Sequence, residues 1–279
     1  MNIPKHADIF TKEMERRNYA SNTVSNYSSN IKVFFKYFES REHPLHLNEN
    51  DIKAYLACFT EPNTQRNHHG AIKLYYEICC GQKDKFKYIP YCKQSKKLPI
   101  VLSVSEIQRM FDICQNIKHR LILALLYSCA IRASELINLK WIHIDRSRMV
   151  INIIQAKGKK DRQVALNDKL IQLLTQYFRE YAPKGEYIFT GQGNTPQYSK
   201  ESTLQVVKQL AEKAGIKNKR VYTHLIRHCS ATHMLESGVD LNLIQRLLGH
   251  SSVKTTAIYA HISHNLISRI QSPLQAINI

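Results

Sequence analysis

Residues 224–259 read HLIRHCSATHMLESGVDLNLIQRLLGHSSVKTTAIY. Their apolar residues fall at helical spacing, and Gly238 and Gly249 stand where helices end. The stretch therefore predicts three short helices, over 224–237, 241–248 and 253–261. His224, Arg227 and His228 lie within about one helical turn, His250 follows a Leu-Gly break, and Tyr259 comes nine residues later. Each is weak alone. An Arg at a helix end is usually solvated or a cap, and His224 with His228 at i, i+4 lacks the adjacent Glu of a metalloprotease helix.

Working outward, residues 167–181 and 200–214 predict further helices, the second closed by Gly215. Residues 149–154 are rich in β-branched side chains and predict a strand. A turn, Ala156-Lys157-Gly-Lys159-Lys160-Asp-Arg162, and a return strand over 163–166 complete a hairpin with a basic tip. Residues 119–130 read as a buried helix and run into Arg132-Ala-Ser-Glu135-Leu136. Ser103-Val-Ser-Glu106 has the form of a capping box and opens a helix through Cys114. Before it lies Lys93-Gln-Ser-Lys96-Lys97-Leu-Pro99, a short basic linker ending in proline. Residues 1–92 read as short amphipathic helices. Asn22, Val24, Tyr27, Ile31, Phe34, Phe35 and Phe38 mark one, and 51–59 and 64–79 two more, with Asn50 and Asn63 as caps. The fold class is thus mainly α (α+β): a helical domain over 1–92, a linker over 93–99, and a mostly helical domain over 100–279 with a small antiparallel sheet.

Composition narrows the function. The 279 residues carry 40 Lys plus Arg against 22 Asp plus Glu, a formal charge of +18, which argues for a polyanionic partner, nucleic acid first. Only +3 of that charge lies in 1–92 and +15 in the remainder. No run reaches the roughly 18 apolar residues of a spanning helix, and residues 1–17 lack a signal-peptide core. Seven Cys without C-x-x-C spacing suit neither a disulfide framework nor a zinc knuckle, and point to a reducing cytoplasm.

In order and spacing, five segments together resemble the tyrosine recombinase family, also called phage integrases, and most its two-domain Xer-like branch. They are Ala130-Ile-Arg132-Ala-Ser-Glu135-Leu, Ala156-Lys157-Gly-Lys-Lys, His224-Leu-Ile-Arg227-His228, Leu247-Leu-Gly-His250 and Ile258-Tyr259. The resemblance covers 99 to about 272 by motif, and the N-terminal half by length and helical character, which implies a SAM-like core-binding DNA-binding domain. The family usually has Thr-Gly-Leu before the first Arg. Here it is Cys129-Ala130-Ile131, which suggests slightly different helix packing.

The resemblance implies a catalytic set of Arg132, Lys157, His224, Arg227, His250 and the nucleophile Tyr259. Two guanidiniums suit the non-bridging oxygens of a phosphorane-like state, since their planar donors stay charged at any working pH. A phenol, with a free pKa near 10, needs a base or a cationic surrounding. His224 is a candidate acceptor of its proton, and Lys157 the family's candidate general acid. Glu135, three residues after Arg132, is expected to orient Arg132 or a His, and His228 is read as structural. The link formed would be a 3′-phosphotyrosine, and strand exchange then calls on no metal, ATP or other cofactor.

The partners implied are double-stranded DNA, a homotetramer in the synaptic complex, and an accessory DNA-bending or activating protein, with no membrane. The setting is cytoplasmic and nucleoid-associated. Candidate backbone contacts are Lys93, Lys96, Lys97, Lys159, Lys160, Arg162, Lys217, Lys219 and Arg220. By resemblance, residues 261–279 supply a short helix that docks into a neighbouring subunit. No arm-binding domain is evident ahead of residue 1, which disfavours the large phage integrases. Three rivals stand beside this reading: a type IB topoisomerase that relaxes DNA as a monomer, a non-catalytic DNA-binding relative, and a zinc enzyme on His224, His228 and His233.

Overall fold

The structure, a computed structural model, describes residues 3–39, 46–93, 100–154, 161–191, 197–250 and 255–256. The chain divides into two compact units, residues 1–96 and 97–279.

The first unit is helical: α1 (Ile3–Arg16), α2 (Ser21–Tyr37), α3 (Glu49–Ala57) and α4 (Pro62–Ile78), then a 3-10 turn over Lys83–Phe86. Its core is aromatic. Phe34 meets Tyr55, and Phe35 meets Tyr75, edge to face at 5.1 Å, a geometry that suits ring quadrupoles. Ala7, Phe10 and Met14 of α1 recur at i, i+3, i+7 and are fully buried, which is why that segment is helical. Two expected caps move. Asn48, not Asn50, caps α3: its side chain accepts from the amides of Asn50 and Asp51, and Asp51 accepts from the Asn48 amide in return. Helix α4 starts at Pro62, not beyond Asn63, because proline's fixed φ and missing N–H suit the first helical position.

The second unit is built on α6 (Ile117–Ser128), following α5 (Val104–Asp112) and its Ser103–Glu106 capping box. Residues Leu121 to Leu126 of α6 are all buried, so this helix is apolar on every side and sits at the centre. After α7 (Ala133–Ile137) come β1 (Ile144–Asp145), β2 (Val150–Ile153) and β3 (Arg162–Ala165), an antiparallel sheet in the order β1-β2-β3. Ile151 faces Ile144 on one side and Val164 on the other. The strand expected from 149 starts one residue later, since Met149 takes a left-handed φ of 54°. Strand β1 was not legible, because two residues carry no alternation. Helices α8 (Asp168–Tyr181), α9 (Lys200–Lys213), α10 (Thr223–Glu236) and α11 (Leu241–Leu248) complete the described residues. Gly215, Gly238 and Gly249, expected to close helices, all have positive φ. The helix expected over 253–261 falls largely outside the described residues.

Among the described residues no helix is long and apolar enough to cross a membrane.

The corrected cap gives a direct test. Asn48→Ala should destabilise the chain by about 1 kcal/mol in urea unfolding followed by far-UV circular dichroism, whereas Asn50→Ala should cost a few tenths at most. Equal losses would contradict the capping register.

Candidate active site

Arg132 stands at the N-cap of α7, in extended conformation, one turn ahead of Glu135. The Arg132 amide donates to one Glu135 oxygen at 2.8 Å, and its guanidinium to the other at 2.8 Å. Arg162, the first residue of β3, donates to both Glu135 oxygens, at 2.9 and 2.7 Å. A third guanidinium, Arg227 of α10, lies 3.9 Å from the same carboxylate. Glu135 is buried, which pushes its carboxyl pKa up. The bonds from Arg162 and the Arg132 amide outweigh that and hold it at about 2, so the group stays ionised. The expectation that Glu135 faces Arg132 therefore has its geometry, and a surface ion pair does not describe it.

Arg227 is 0% exposed. It donates to the Ala130 carbonyl at 2.7 Å, to the Leu248 carbonyl, and to His250 Nε2 at 3.3 Å. A guanidinium only donates, so Nε2 accepts. The ring proton then sits on Nδ1 and is donated to Thr256 Oγ1, 3.0 Å away. Burial lowers the His250 pKa to about 4, helped by the positive fields of Arg227, Arg132, His224 and His228. The imidazole is therefore neutral at pH 7. His224, on the first turn of α10, meets His228 edge to face at 4.6 Å. Burial and Arg227 lower the His228 pKa too.

Ala130 explains the departure from Thr-Gly-Leu. It is fully buried with φ +47°. What the position asks of a residue is a left-handed backbone, which aims its carbonyl at Arg227, and alanine adopts it at a cost of about 1–2 kcal/mol. The alanine methyl also packs against Ala231 and Leu235 of α10 and Ile244 and Leu248 of α11.

The structure thus brings Arg132, Glu135, Arg227 and His250 together, with His224 and His228 beside them. Lys157 and Tyr259 lie outside the described residues, as do Lys96, Lys97, Lys159, Lys160 and the tail over 261–279. Lys93, Lys217 and Arg220 are exposed. Two expected phosphate contacts have partners within the chain. The Arg162 side chain is 7% exposed, with its donors committed to Glu135 and the Leu247 carbonyl. Lys219 is paired with Glu106 at 2.7 Å and also donates to the Val101 carbonyl. The sequence held a signal for Arg162. It shares strand parity with the buried Val164, so it points inward. His233 of the zinc alternative bonds Tyr127 through Nδ1 at 2.8 Å, and among the described residues no three His, Cys, Asp or Glu side chains are grouped to hold a metal.

His250 and Glu135 are among the shifted groups that make the fold acid-sensitive, with a sign that can be worked out. A depressed pKa means the unfolded chain binds more protons, so stability falls as pH falls. His250 should withdraw stability from about pH 6.5 down to about 4, and Glu135 from about 4.5 down to about 2. Urea midpoints measured across pH should decline through both windows. His250→Gln should reduce the slope in the upper window, where His228 and other buried histidines also contribute, and Glu135→Gln the slope in the lower, and unchanged slopes in the variants would contradict the assignment.

A model of the phage integrase family matches residues 101–265, and a model of the phage integrase N-terminal SAM-like domain matches 7–84. The tyrosine recombinase XerD of Caulobacter vibrioides is 30% identical over 95% of this chain and 94% of its own length. The tyrosine recombinase XerA of Pyrococcus furiosus is 34% identical over 69% of this chain and 68% of its own. Among solved structures, a lambda integrase tetramer bound to a Holliday junction superposes with a TM-score of 0.77 at 17% identity, covering 92% of this chain and 76% of that one. With a mainly helical fold, a three-stranded antiparallel sheet and the Arg132–Glu135–Arg227–His250 site, the chain belongs to the phage integrase family, the tyrosine recombinases.

Proposed function

We propose that this recombinase cuts and rejoins DNA strands through a covalent 3′-phosphotyrosine on Tyr259, with no metal and no ATP. The observation that carries the reading is the convergence of Arg132 and Arg227 on Glu135, with neutral His250 bonded to Arg227. Two guanidiniums held by buried partners are ready to receive the charge that develops on a phosphorane, and reorganise little when it appears. In the proposed step the Tyr259 oxygen bonds to phosphorus and the bond from phosphorus to the 5′ oxygen breaks. The phenolic proton passes to His224, and Lys157 protonates the leaving 5′ oxygen. The phosphotyrosine conserves the bond energy, so a 5′-hydroxyl from a second duplex reverses the step and completes the exchange. The arginines supply the positive charge that such a transition state needs.

The domain roles follow. Residues 1–92 would grip one side of the duplex and 100–279 cut it, with the linker over 93–99 along the backbone. Exposed Lys93, Lys217 and Arg220, together with Lys96, Lys97, Lys159 and Lys160, would contact phosphates. A tetramer would hold two duplexes and four sites. The solved lambda integrase tetramer on a Holliday junction supports that assembly.

A nicked suicide duplex carrying the site from the DNA flanking the gene tests the chemistry. Wild type should form a covalent adduct, and Tyr259→Phe should form none while binding the duplex equally. A wild-type chain that binds tightly and specifically yet gives no adduct contradicts the reading. Joining of the cut strand to a second duplex separates recombination from topoisomerase-like relaxation.

Truncation tests the assembly. Removing residues 263–279 should leave single-site cleavage and reduce pairing of two sites in a synapsis assay. Recombination at the full rate after truncation would end the docking role of the tail.

A further inference from the structure

Arg162 was expected on DNA, and its bonds point elsewhere. We propose that Arg162 is a positioning residue that fixes, through Glu135 and the end of α11, where Arg132, Arg227 and His250 meet the scissile phosphate. The inference rests on the reading of the site given above.

Three observations carry it. First, one side chain ties three elements. From β3 it spans both Glu135 oxygens on α7, and its Nε donates to the Leu247 carbonyl at 2.7 Å. Arg227 takes the next carbonyl, Leu248, and His250 follows after a single glycine. The two arginines therefore clamp the turn that presents His250. Second, that glycine is fitted to Arg162. A Cβ at Gly249 would lie 3.1 Å from Arg162 Cδ, and its φ of +62° is left-handed. The Leu-Gly-His motif thus leaves room for the arginine stem as well as turning the chain. Third, a carboxylate has about four acceptor positions. Arg162 fills two, and the amide and guanidinium of Arg132 fill two. Without Arg162, two buried acceptor positions would face Arg132 and Arg227, and the carboxylate would draw their donors away from the phosphate. Lysine, a point charge, cannot span both oxygens and a carbonyl as the planar fork does.

The test compares wild type, Arg162→Gln, Arg162→Lys, Glu135→Gln and the double variant Arg162→Gln/Glu135→Gln. It measures duplex affinity, the single-turnover adduct rate at saturating DNA, and the His250 imidazole titration by NMR. Arg162→Gln should bind DNA within about twofold of wild type and cut about 100-fold more slowly, the scale of losing preorganised donors. Arg162→Lys should recover part of that rate. The double variant should be no slower than the slower single one, because the two residues act as a unit. In Arg162→Gln the His250 pKa should climb from about 4 toward 6.5 as the turn loosens.

A wild-type rate at saturating DNA with weakened binding would make Arg162 a phosphate contact and overturn the proposal. So would additive rate losses, or an unmoved His250 titration. If Arg162→Gln does not fold, Arg162→Lys carries the same comparisons. The NMR readout needs no cleavage. A wild-type chain without adduct therefore counts against the functional reading, while the positioning role stands or falls on His250.

Discussion

One buried carboxylate organises the second unit's site. Glu135 receives two bonds each from Arg132 and Arg162 and stands within 3.9 Å of Arg227. Unit charges about 4 Å apart interact by ~4 kcal/mol at an effective dielectric of 20, so the carboxylate's attraction for each guanidinium offsets the repulsion among the three. Burial alone would favour the neutral carboxyl. The arginines reverse that, and the arginines stay together because it is reversed. Removing one member of such a set typically costs about 3–5 kcal/mol, since the others are left buried and uncompensated.

Around that centre, backbone carbonyls set the detail. Ala130, Leu247 and Leu248 each turn a carbonyl toward a guanidinium. Each lies at an irregular point of the chain, either the left-handed residue before α7 or the last turn of α11. Helix ends leave carbonyls unsatisfied, and this fold gives them arginine donors instead of water.

Much of this was legible in the residues, and the failures have physical causes. The pairing of Arg132 with Glu135 follows from i, i+3 spacing, and the breaks at Gly215, Gly238 and Gly249 follow from conformational freedom. The burial of Arg162 was not foreseen, because a basic residue beside a basic turn looks solvated. Its strand parity with Val164 is the better guide. The partner of Lys219 was not legible either, since nothing in its local sequence points to Glu106 more than a hundred residues away. Asn50 was preferred to Asn48 because two asparagines bracket Glu49 and only the reciprocal bond from Asp51 decides between them. The carbonyl acceptors have no side-chain signature at all.

The electrostatic sum of the site has a further consequence. Three guanidiniums around one carboxylate leave two excess positive charges held in a partly buried space. The free protein carries that self-repulsion as a standing load, and under the proposed function an arriving phosphodiester would relieve it. Substrate would then also be a stabilising ligand of the fold, favoured by mass action over the unfolded chain. Selection for a sturdier free protein and selection for a faster one would then pull these same residues in opposite directions.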